Sequence, residues 1–264
     1  MIKILFIVSD VHGHYKELMD ALDRAGFREK DESHVFVSCG DLFDRGRENR
    51  SVYDFVKGLK HKILIKGNHE DMLAETLRRG YITEREIWNG TDITVSEMLG
   101  EGAIDAKGTF DTVRFAAEIK ELIDFTEQMA DYYETGEYVL THGWLPIVFK
   151  ERYPRVDLRW RSASKEAWEE ARCLEWQQLY NVGAVLEGKT IVCGHRPARL
   201  GSMFDCLREP DCSEPFYGKG MTAIDAGTVR SGRINVLVVP MHGDITKTEL
   251  GGFHDETGSS CVLP

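Results

Sequence analysis

The amino-acid sequence predicts an α/β fold whose functional groups collect at strand ends. Three observations carry this. Apolar strands and amphipathic helices alternate from the start of the chain. Five apolar stretches run straight into a metal-ligand residue beside a glycine. A largely helical stretch, at about 71–137, then interrupts the alternation. With 264 residues, the chain is long enough for one large α/β domain or two modest ones.

The elements follow in order. Ile4 to Val8 is β-branched and apolar, and reads as a strand. Tyr15 to Phe27 carries Leu18, Leu22 and Ala25 at helical spacing and closes near Gly26. A strand at Val35 to Val37, a helix from Ser51 to Leu59 with Val52, Phe55, Val56 and Leu59 on one face, and a strand at Ile63 to Ile65 complete a β-α-β-α-β run. Such a run implies parallel strands with helical crossovers, whose carboxyl ends share one edge. Residues 71–137 read as an all-helical insertion laid over that edge. They hold Met72 to Arg79, a turn at Asn89-Gly90 and an amphipathic helix from Phe115 to Tyr133. Strands return at Tyr138 to Leu140 and Thr190 to Val192, with a helix predicted over Ser162 to Tyr180. Strands at Met221 and Ile234 are predicted to form a hairpin around Gly227 to Gly232. The Gly/Ser/Thr-rich end, 241–264, which includes His242-Gly243-Asp244, reads as a surface tail, leaving 1–240 as a single domain with its insertion.

Composition narrows the function classes. The chain is 42% hydrophobic and 29% charged, which fits a globular protein. A net charge of −11 with no basic stripe argues against a general grip on nucleic acid. It does not argue against a phosphate substrate, because a bound cation supplies its own positive field. No stretch approaches the roughly 18 apolar residues of a membrane span. The short run after Met1 lacks the features of a secretion signal. Six cysteines form no C-x-x-C pair, and Cys39 and Cys193 fall inside predicted buried strands, so a reduced cytoplasm is the expected compartment.

The chemistry lies in the five strand-end motifs. Asp10 and His12 stand two residues apart, so strand alternation points both to one side, the geometry for two ligands on one cation. Asp41 follows Gly40, which lets the backbone come close, and its two oxygens can bridge two metals. Asp44 and Arg45 occupy the turn beyond it, with Arg45 facing the site. Asn68 offers a carbonyl ligand and an amide that can donate to phosphate, while His69, one residue on, points off the metal. His142 and His195 lie beside glycines at two further strand ends. Gathering Asp10, Asp41 and Asp44 without cations would cost several kcal/mol per buried charge. Oxygen and nitrogen ligands without thiolate suit two divalent ions, Mn first, with Fe, Zn or Ni as alternatives. Such a pair activates a hydroxide and clamps a phosphoryl oxygen for in-line attack.

Together the motifs resemble the calcineurin-like metallophosphoesterase superfamily, and within it the phosphoprotein phosphatase branch, which holds Ser/Thr phosphatases and symmetrical diadenosine tetraphosphatases. The matching residues are D-x-H-G at Asp10 to Gly13, G-D-x-x-D-R-G at Gly40 to Gly46, G-N-H-E at Gly67 to Glu70, H-G at His142-Gly143 and G-H at Gly194-His195. Asn89-Gly90 and Ile224-Asp225-Ala226-Gly227 match more weakly. The resemblance implies a four-layer sandwich, two mixed β-sheets flanked by helices. It implies one metal on Asp10, His12 and Asp41, and a second on Asp41, Asn68, His142 and His195. It further implies that Arg45 binds substrate phosphate and that His69, oriented by Asp44, protonates the leaving oxygen. Pro197 stands where other branches carry a second histidine, which favours the phosphatase branch. A second phosphate-binding arginine is expected at Arg159 or Arg161, with Arg161 preferred.

The substrate stays open at this point. Hydrolysis of phosphate monoesters, phosphoserine or phosphothreonine or small esters, comes first. Hydrolysis of a dinucleoside polyphosphate, nucleotide or RNA end is the alternative. A non-catalytic metal-stabilised binding protein is a third reading, in which His69→Ala changes no activity. Four of the five tryptophans fall between Trp144 and Trp176, and core packing is their expected role.

Overall fold

In a computed structural model, residues 2–242 and 250–251 are described. The chain opens as expected, with β1 (Ile2–Val8), α1 (Tyr15–Ala25), β2 (His34–Ser38), α2 (Asn49–Gly58) and β3 (Lys62–Leu64). Four helices follow: α3 (Asn68–Arg79), α4 (Glu84–Asn89), α5 (Thr91–Leu99) and α6 (Ala116–Glu127). Next come β4 (Tyr132–Glu134), β5 (Tyr138–Leu140), the hairpin β6 (Ile147–Lys150) and β7 (Tyr153–Val156), then α7 (Lys165–Arg172) and α8 (Trp176–Asn181). The rest is β8 (Thr190–Cys193), β9 (Phe216–Gly218), β10 (Met221–Ala223), α9 (Thr228–Ser231), β11 (Leu237–His242) and β12 (Leu250–Gly251). Among the described residues no helix is long and apolar enough to cross a membrane.

The strands form two mixed sheets, in the orders β11-β1-β2-β3 and β12-β4-β5-β8-β10-β9. Strand alternation divides their side chains among three apolar layers. Leu5 and Ile7 of β1, with Val35 and Val37 of β2, face Leu140, Val192 and Ile224 of the other sheet. Phe6, Val8 and Phe36 take the opposite face and pack under α1, α2 and the insertion helices. Val139, Ile191, Cys193 and Ala223 cover the outer face of the second sheet, against Trp144, Trp160, Trp168 and Trp176. The result is the four-layer α/β/β/α sandwich. All four of those tryptophans are buried to within 1% exposure, so their role is packing.

Several local expectations are corrected. Met221 and Ile234 do not open a hairpin. β10 pairs parallel to β8 in one sheet, whereas β11 pairs antiparallel to β1 in the other, with α9 between them. The helix predicted to Tyr133 stops at Glu127, because Ala130 is captured by the sheet edge: Lys66 N–H donates to Ala130 O (2.8 Å) and Ala130 N–H to Leu64 O (2.9 Å). The insertion is therefore not all helical, and its first helix already begins at Asn68. The stretch 162–180 splits into α7 and α8, since Trp168 and Trp176 must reach different partners, Tyr132 and Phe216. Met241 and His242 belong to β11, and most of the predicted tail, 243–249 and 252–264, lies outside the described residues.

Candidate metal centre

The five predicted motifs do converge, but from two sheets and not from one edge. β1, β2 and β3 of the first sheet deliver Asp10, His12, Asp41, Asn68 and His69; β5 and β8 of the second deliver His142 and His195. Backbone hydrogen bonds lace the turns together. Asp10 N–H donates to Gly40 O (3.1 Å), His12 N–H to Asp41 O (3.0 Å) and Gly194 N–H to His142 O (2.8 Å). Gly40 has φ +91°, and a Cβ there would meet Gly67 Cα and His142 Nδ1 at 2.7 Å. Only glycine lets the second strand end pass so close to both neighbours.

Strain marks the same place. Asp10, His12, Asp41, Asp44, Arg45 and His195 all have φ between +48° and +73°. Among the described residues only Glu151 and Arg152 otherwise do so without being glycine. Backbone held in this region costs free energy, and its concentration at one spot points to function there.

The side chains are arranged around Asp41. Its Oδ1 lies 3.3 Å from His142 Nε2, and its Oδ2 lies 3.7 Å from His12 Nε2 and 3.8 Å from His69 Nε2. Two overlapping groups of ligand atoms result, His12–Asp41–His69 and Asp41–His142–His195. Asn68 Oδ1 stands 3.0 Å from His142 Nε2. Asp10 Oδ1 is 3.8 Å from His12 Nε2, while its Oδ2 accepts from Ser9 Oγ (2.5 Å) and His195 N–H (2.9 Å). All six predicted ligands are thus within one cluster. His69, expected to point off the metal, also aims Nε2 toward Asp41.

The donor set fits divalent cations. His12 Nδ1–H donates to Phe43 O (2.9 Å) and His142 Nδ1–H to Cys39 O (2.7 Å); a carbonyl can only accept, so both rings turn Nε2 inward. His12 Nε2 is buried with no hydrogen-bond partner, an orphan that a cation would satisfy. Burial holds His12 well below the usual imidazole range, and burial with the neighbouring His142 holds His195 at about 3, so both present lone pairs. His142 is the opposite case. Burial pushes it down, but Asp41 and Asp10 outweigh this and raise it to about 10. Two acceptors, Asp41 Oδ1 and Asn68 Oδ1, face its Nε2, and a cation held by these residues would take the place of the proton. Burial drives Asp41 up, yet His142 and His69 hold it well below the carboxylate range. Asp10 is raised by burial, against the pull of His142.

Asp44 and His69 form a buried pair, with His69 Nδ1–H donating to Asp44 Oδ2 (2.7 Å). Arg45 Nη2 sits 3.2 Å from His69 Nε2. Desolvation lowers His69, but Asp41 and Asp44 outweigh it and raise its pKa. Beside this group opens a cavity of about 400 Å³, lined by His12, Arg45, His195, Arg196, Arg199 and Arg230 among others. Arg161 is not in that lining. Its guanidinium is held by Glu134 (2.7 and 2.5 Å) and stacks on Trp160 (4.2 Å). Arg159 is turned to Asp157 (3.8 Å). The W-R pattern picked out a residue of the tryptophan layer, while the cavity's arginines other than Arg45, namely Arg196, Arg199 and Arg230, lie after the G-H motif.

Glu70 carried no assigned role in the sequence and proves central. Its Oε2 accepts from Asp41 N–H (2.9 Å) and Gly67 N–H (2.8 Å), and its Oε1 from Leu42 N–H (2.8 Å). Burial, then Asp41, pushes its pKa to about 7. The one available signal was a glutamate three residues into a helix opened by glycine, the position from which a carboxylate reaches back to backbone donors.

The sequence profile of the calcineurin-like phosphoesterase family matches residues 3–221. The chain is a calcineurin-like phosphoesterase. As such it is a metal-dependent hydrolase of phosphate esters, and the family's dinuclear habit suits the overlapping ligand groups. Similar curated proteins include the bis(5'-nucleosyl)-tetraphosphatase PrpE (asymmetrical) of Bacillus subtilis (strain 168), 26% identical over 73% of this chain and 79% of its own length. The same-named protein of Halalkalibacterium halodurans is 30% identical over 52% of this chain and 55% of that one. The symmetrical bis(5'-nucleosyl)-tetraphosphatase of Nitrosospira multiformis is 28% identical over 54% of this chain and 44% of that one. The phosphoesterase spans little more than half of the second relative and under half of the third. Among solved structures, a point mutant of a cold-active protein tyrosine phosphatase shares the fold, with TM-score 0.53, 17% identity and coverage of 90% of this chain and 75% of that one. The cold-active protein tyrosine phosphatase of a psychrophilic Shewanella gives TM-score 0.51 at 18% identity over 90% and 75% of the two chains.

Proposed function

We propose that the phosphoesterase hydrolyses the phosphoanhydride bonds of oligophosphate-linked nucleotides such as diadenosine tetraphosphate. The observation that carries this reading is the cavity beside the metal centre. In a chain of net charge −11, its wall gathers Arg45, Arg196, Arg199 and Arg230. Arg230 is shared with Asp211 (2.9 Å) and Arg196 leans on Glu175 (3.4 Å); no ion pair is seen for Arg199 among the described residues. A single phosphoryl group needs few of these cations, whereas several phosphates in a row can use more of the wall, whose carboxylates are Asp211, paired with Arg230, and Asp225. The names of the curated relatives support the same class. Phosphomonoester hydrolysis, the first choice from sequence, becomes the second reading.

Asp10, His12 and Asp41 would hold one divalent ion, and Asp41, Asn68, His142 and His195 the other. When bound, the ions supply Lewis acidity toward the phosphoryl group and the activated attacking water. The chain's own residues do the rest. Arg45 clamps the non-bridging oxygens, 3.2 Å from the acid. His69 donates a proton to the leaving oxygen and is oriented by Asp44. Manganese is our first choice of metal, and a reduced cytoplasmic setting suits the buried thiols of Cys39 and Cys193.

The test is a substrate panel on purified protein, stripped with EDTA and reloaded with each metal. We expect kcat/KM for diadenosine tetraphosphate to exceed that for a phosphoserine peptide. The opposite ranking overturns the substrate reading, and activity that survives stripping overturns the metal mechanism.

A further inference from the structure

We propose that the insertion takes part in the chemistry: Thr91 and Thr94 of α5 fix the Asp44 carboxylate, and through it the orientation of His69. The inference rests on the reading of His69 as the leaving-group acid. Thr94 Oγ1 donates to Asp44 Oδ1 (2.7 Å), and Thr91 Oγ1 donates to Asp44 Oδ2 (2.9 Å), the oxygen that also receives His69 Nδ1–H (2.7 Å). Asp44 N–H donates back to Thr94 Oγ1 (3.1 Å) and to Asn49 Oδ1 (2.9 Å). Asp44, Thr91 and Thr94 are fully buried and His69 is 2% exposed, so water does not compete for these donors.

The packing that brings α5 there is tight. Arg45 N–H donates to Asn89 O (3.0 Å), and a Cβ on Gly90 would lie 2.5 Å from Arg45 N. Gly90, at φ +81°, has no side chain with which to cap α5, and Asp44 lies beside the first turn instead. A carboxylate is favoured at a helix N-terminus, so α5 and Asp44 stabilise each other. The torsion about a carboxylate is broad and two-fold. Held at both oxygens, Asp44 has one orientation; without Thr94, Oδ1 loses its side-chain donor and the plane can swing. His69 Nδ1–H then follows Asp44, and Nε2 loses its aim. Thr91 and Thr94 are positioning residues, since neither reaches the reacting atoms.

The experiment uses leaving groups of graded basicity on metal-loaded protein. A good leaving group such as 2,4-dinitrophenolate needs little protonation, whereas phenolate needs much. General acid catalysis contributes typically 10²–10⁴-fold. We therefore expect Thr94→Val to lower kcat for phenyl phosphate by about tenfold more than for 2,4-dinitrophenyl phosphate, with KM little changed. Thr94→Ser, which restores the hydroxyl, is expected to recover most of that difference, and Thr91→Val to show the same selectivity to a smaller degree. Proton NMR supplies a readout independent of turnover: the downfield signal of His69 Nδ1–H should broaden or shift in Thr94→Val and return in Thr94→Ser. Equal losses for all leaving groups, or a serine variant no better than valine, would overturn the positioning role. His69→Ala serves as the control. A loss from it that ignores the leaving group would refute the acid assignment itself, which the threonine variants alone would not.

Discussion

Replacing Glu70 by glutamine should loosen the metal centre without touching a ligand. The carboxylate holds three backbone N–H groups, those of Asp41, Gly67 and Leu42, at 2.8–2.9 Å. The best glutamine rotamer keeps its oxygen toward Asp41 and Gly67 and sets its NH₂ against Leu42 N–H. One bond is lost, two donors face each other, and two remaining bonds change from charged to neutral. Bonds to charged acceptors contribute about 1.5–3 kcal/mol and an orphaned buried donor costs about 1–3, so roughly 3 kcal/mol of hydrogen bonding is lost. Burial and Asp41, which raise the carboxylate to about 7, penalise its ionised form, and glutamine escapes that penalty, so the net loss is about 1–2 kcal/mol. For a chain of this size that lowers Tm by about 3 °C. Glu70→Ala orphans all three donors and leaves a cavity, so its loss must be larger. Because Asp41 hangs from the same carboxylate, metal affinity should fall roughly 10–100-fold. Thermal unfolding of EDTA-stripped protein, followed by near-UV circular dichroism, measures the first effect and Mn²⁺ titration calorimetry the second. Both belong at about pH 8, above the Glu70 pKa of about 7, so that the parent carries the carboxylate. A glutamine variant that melts within about 1 °C of the parent, or as low as the alanine variant, refutes the hydrogen-bond argument.

Four further predictions use other parts of the molecule. Glu86 accepts from Arg79 Nη2 at both oxygens (2.6 Å) and from Thr83 N–H (2.7 Å); burial raises its pKa, but these donors outweigh it and bring it below the usual 4.5. A depressed carboxylate stabilises above its unfolded pKa and stops doing so as pH falls through the folded one. Glu86→Gln should therefore melt below the parent at neutral pH, with the gap narrowing below about 4.5, and a pH-independent gap would count against the ion pair. Trp168 is 1% exposed and stacks on Tyr132 (5.2 Å, 21°). Trp168→Ala should cost about 3–5 kcal/mol in urea unfolding, and a loss under about 1 would show that the layer collapses around the gap. Arg45→Ala should lower kcat/KM by roughly 10²-fold. Arg161→Ala, which breaks a half-exposed pair with Glu134, should change stability by less than about 1 kcal/mol and spare turnover; a large loss of activity there would restore its place at the substrate.

Much of the fold was legible because its signals are local. The β-α-β-α-β run shows in periodicity, and each of the five apolar stretches became a strand in its expected place. What failed were decisions that turn on a partner far along the chain. Met221 and Ile234 both read as strand starts, but nothing between them says that the second strand, which begins at Leu237, joins the other sheet. The apolar period of 115–133 continues past Glu127 while the backbone does not, since Leu64 O and Lys66 N–H offer Ala130 a ladder that propensity cannot see. The two tryptophans in the 162–180 stretch kept their helical spacing and still broke it, each drawn to a different aromatic partner.

The site divides along the same line. Residues whose chemistry is intrinsic, the carboxylates and imidazoles beside glycines, could be picked out one by one. Groups that act through a neighbour could not. Glu70, Thr91 and Thr94 matter only because the fold sets them against Asp41 and Asp44, across separations in sequence of 29, 47 and 50 residues. The strain is hidden in the same way. Asp and His residues tolerate positive φ more readily than β-branched ones, yet five of them together with Arg45 in one cluster is a property of the assembled strand ends. Both sheets must be in place before those turns close on one another, because the Gly194–His142 bond lies in one sheet and the Asp10–Gly40 bond in the other, and His195 N–H to Asp10 Oδ2 joins them. The centre is thus built by the contact between the two sheets, and a change that shifts one sheet against the other reaches the ligands without altering any of them.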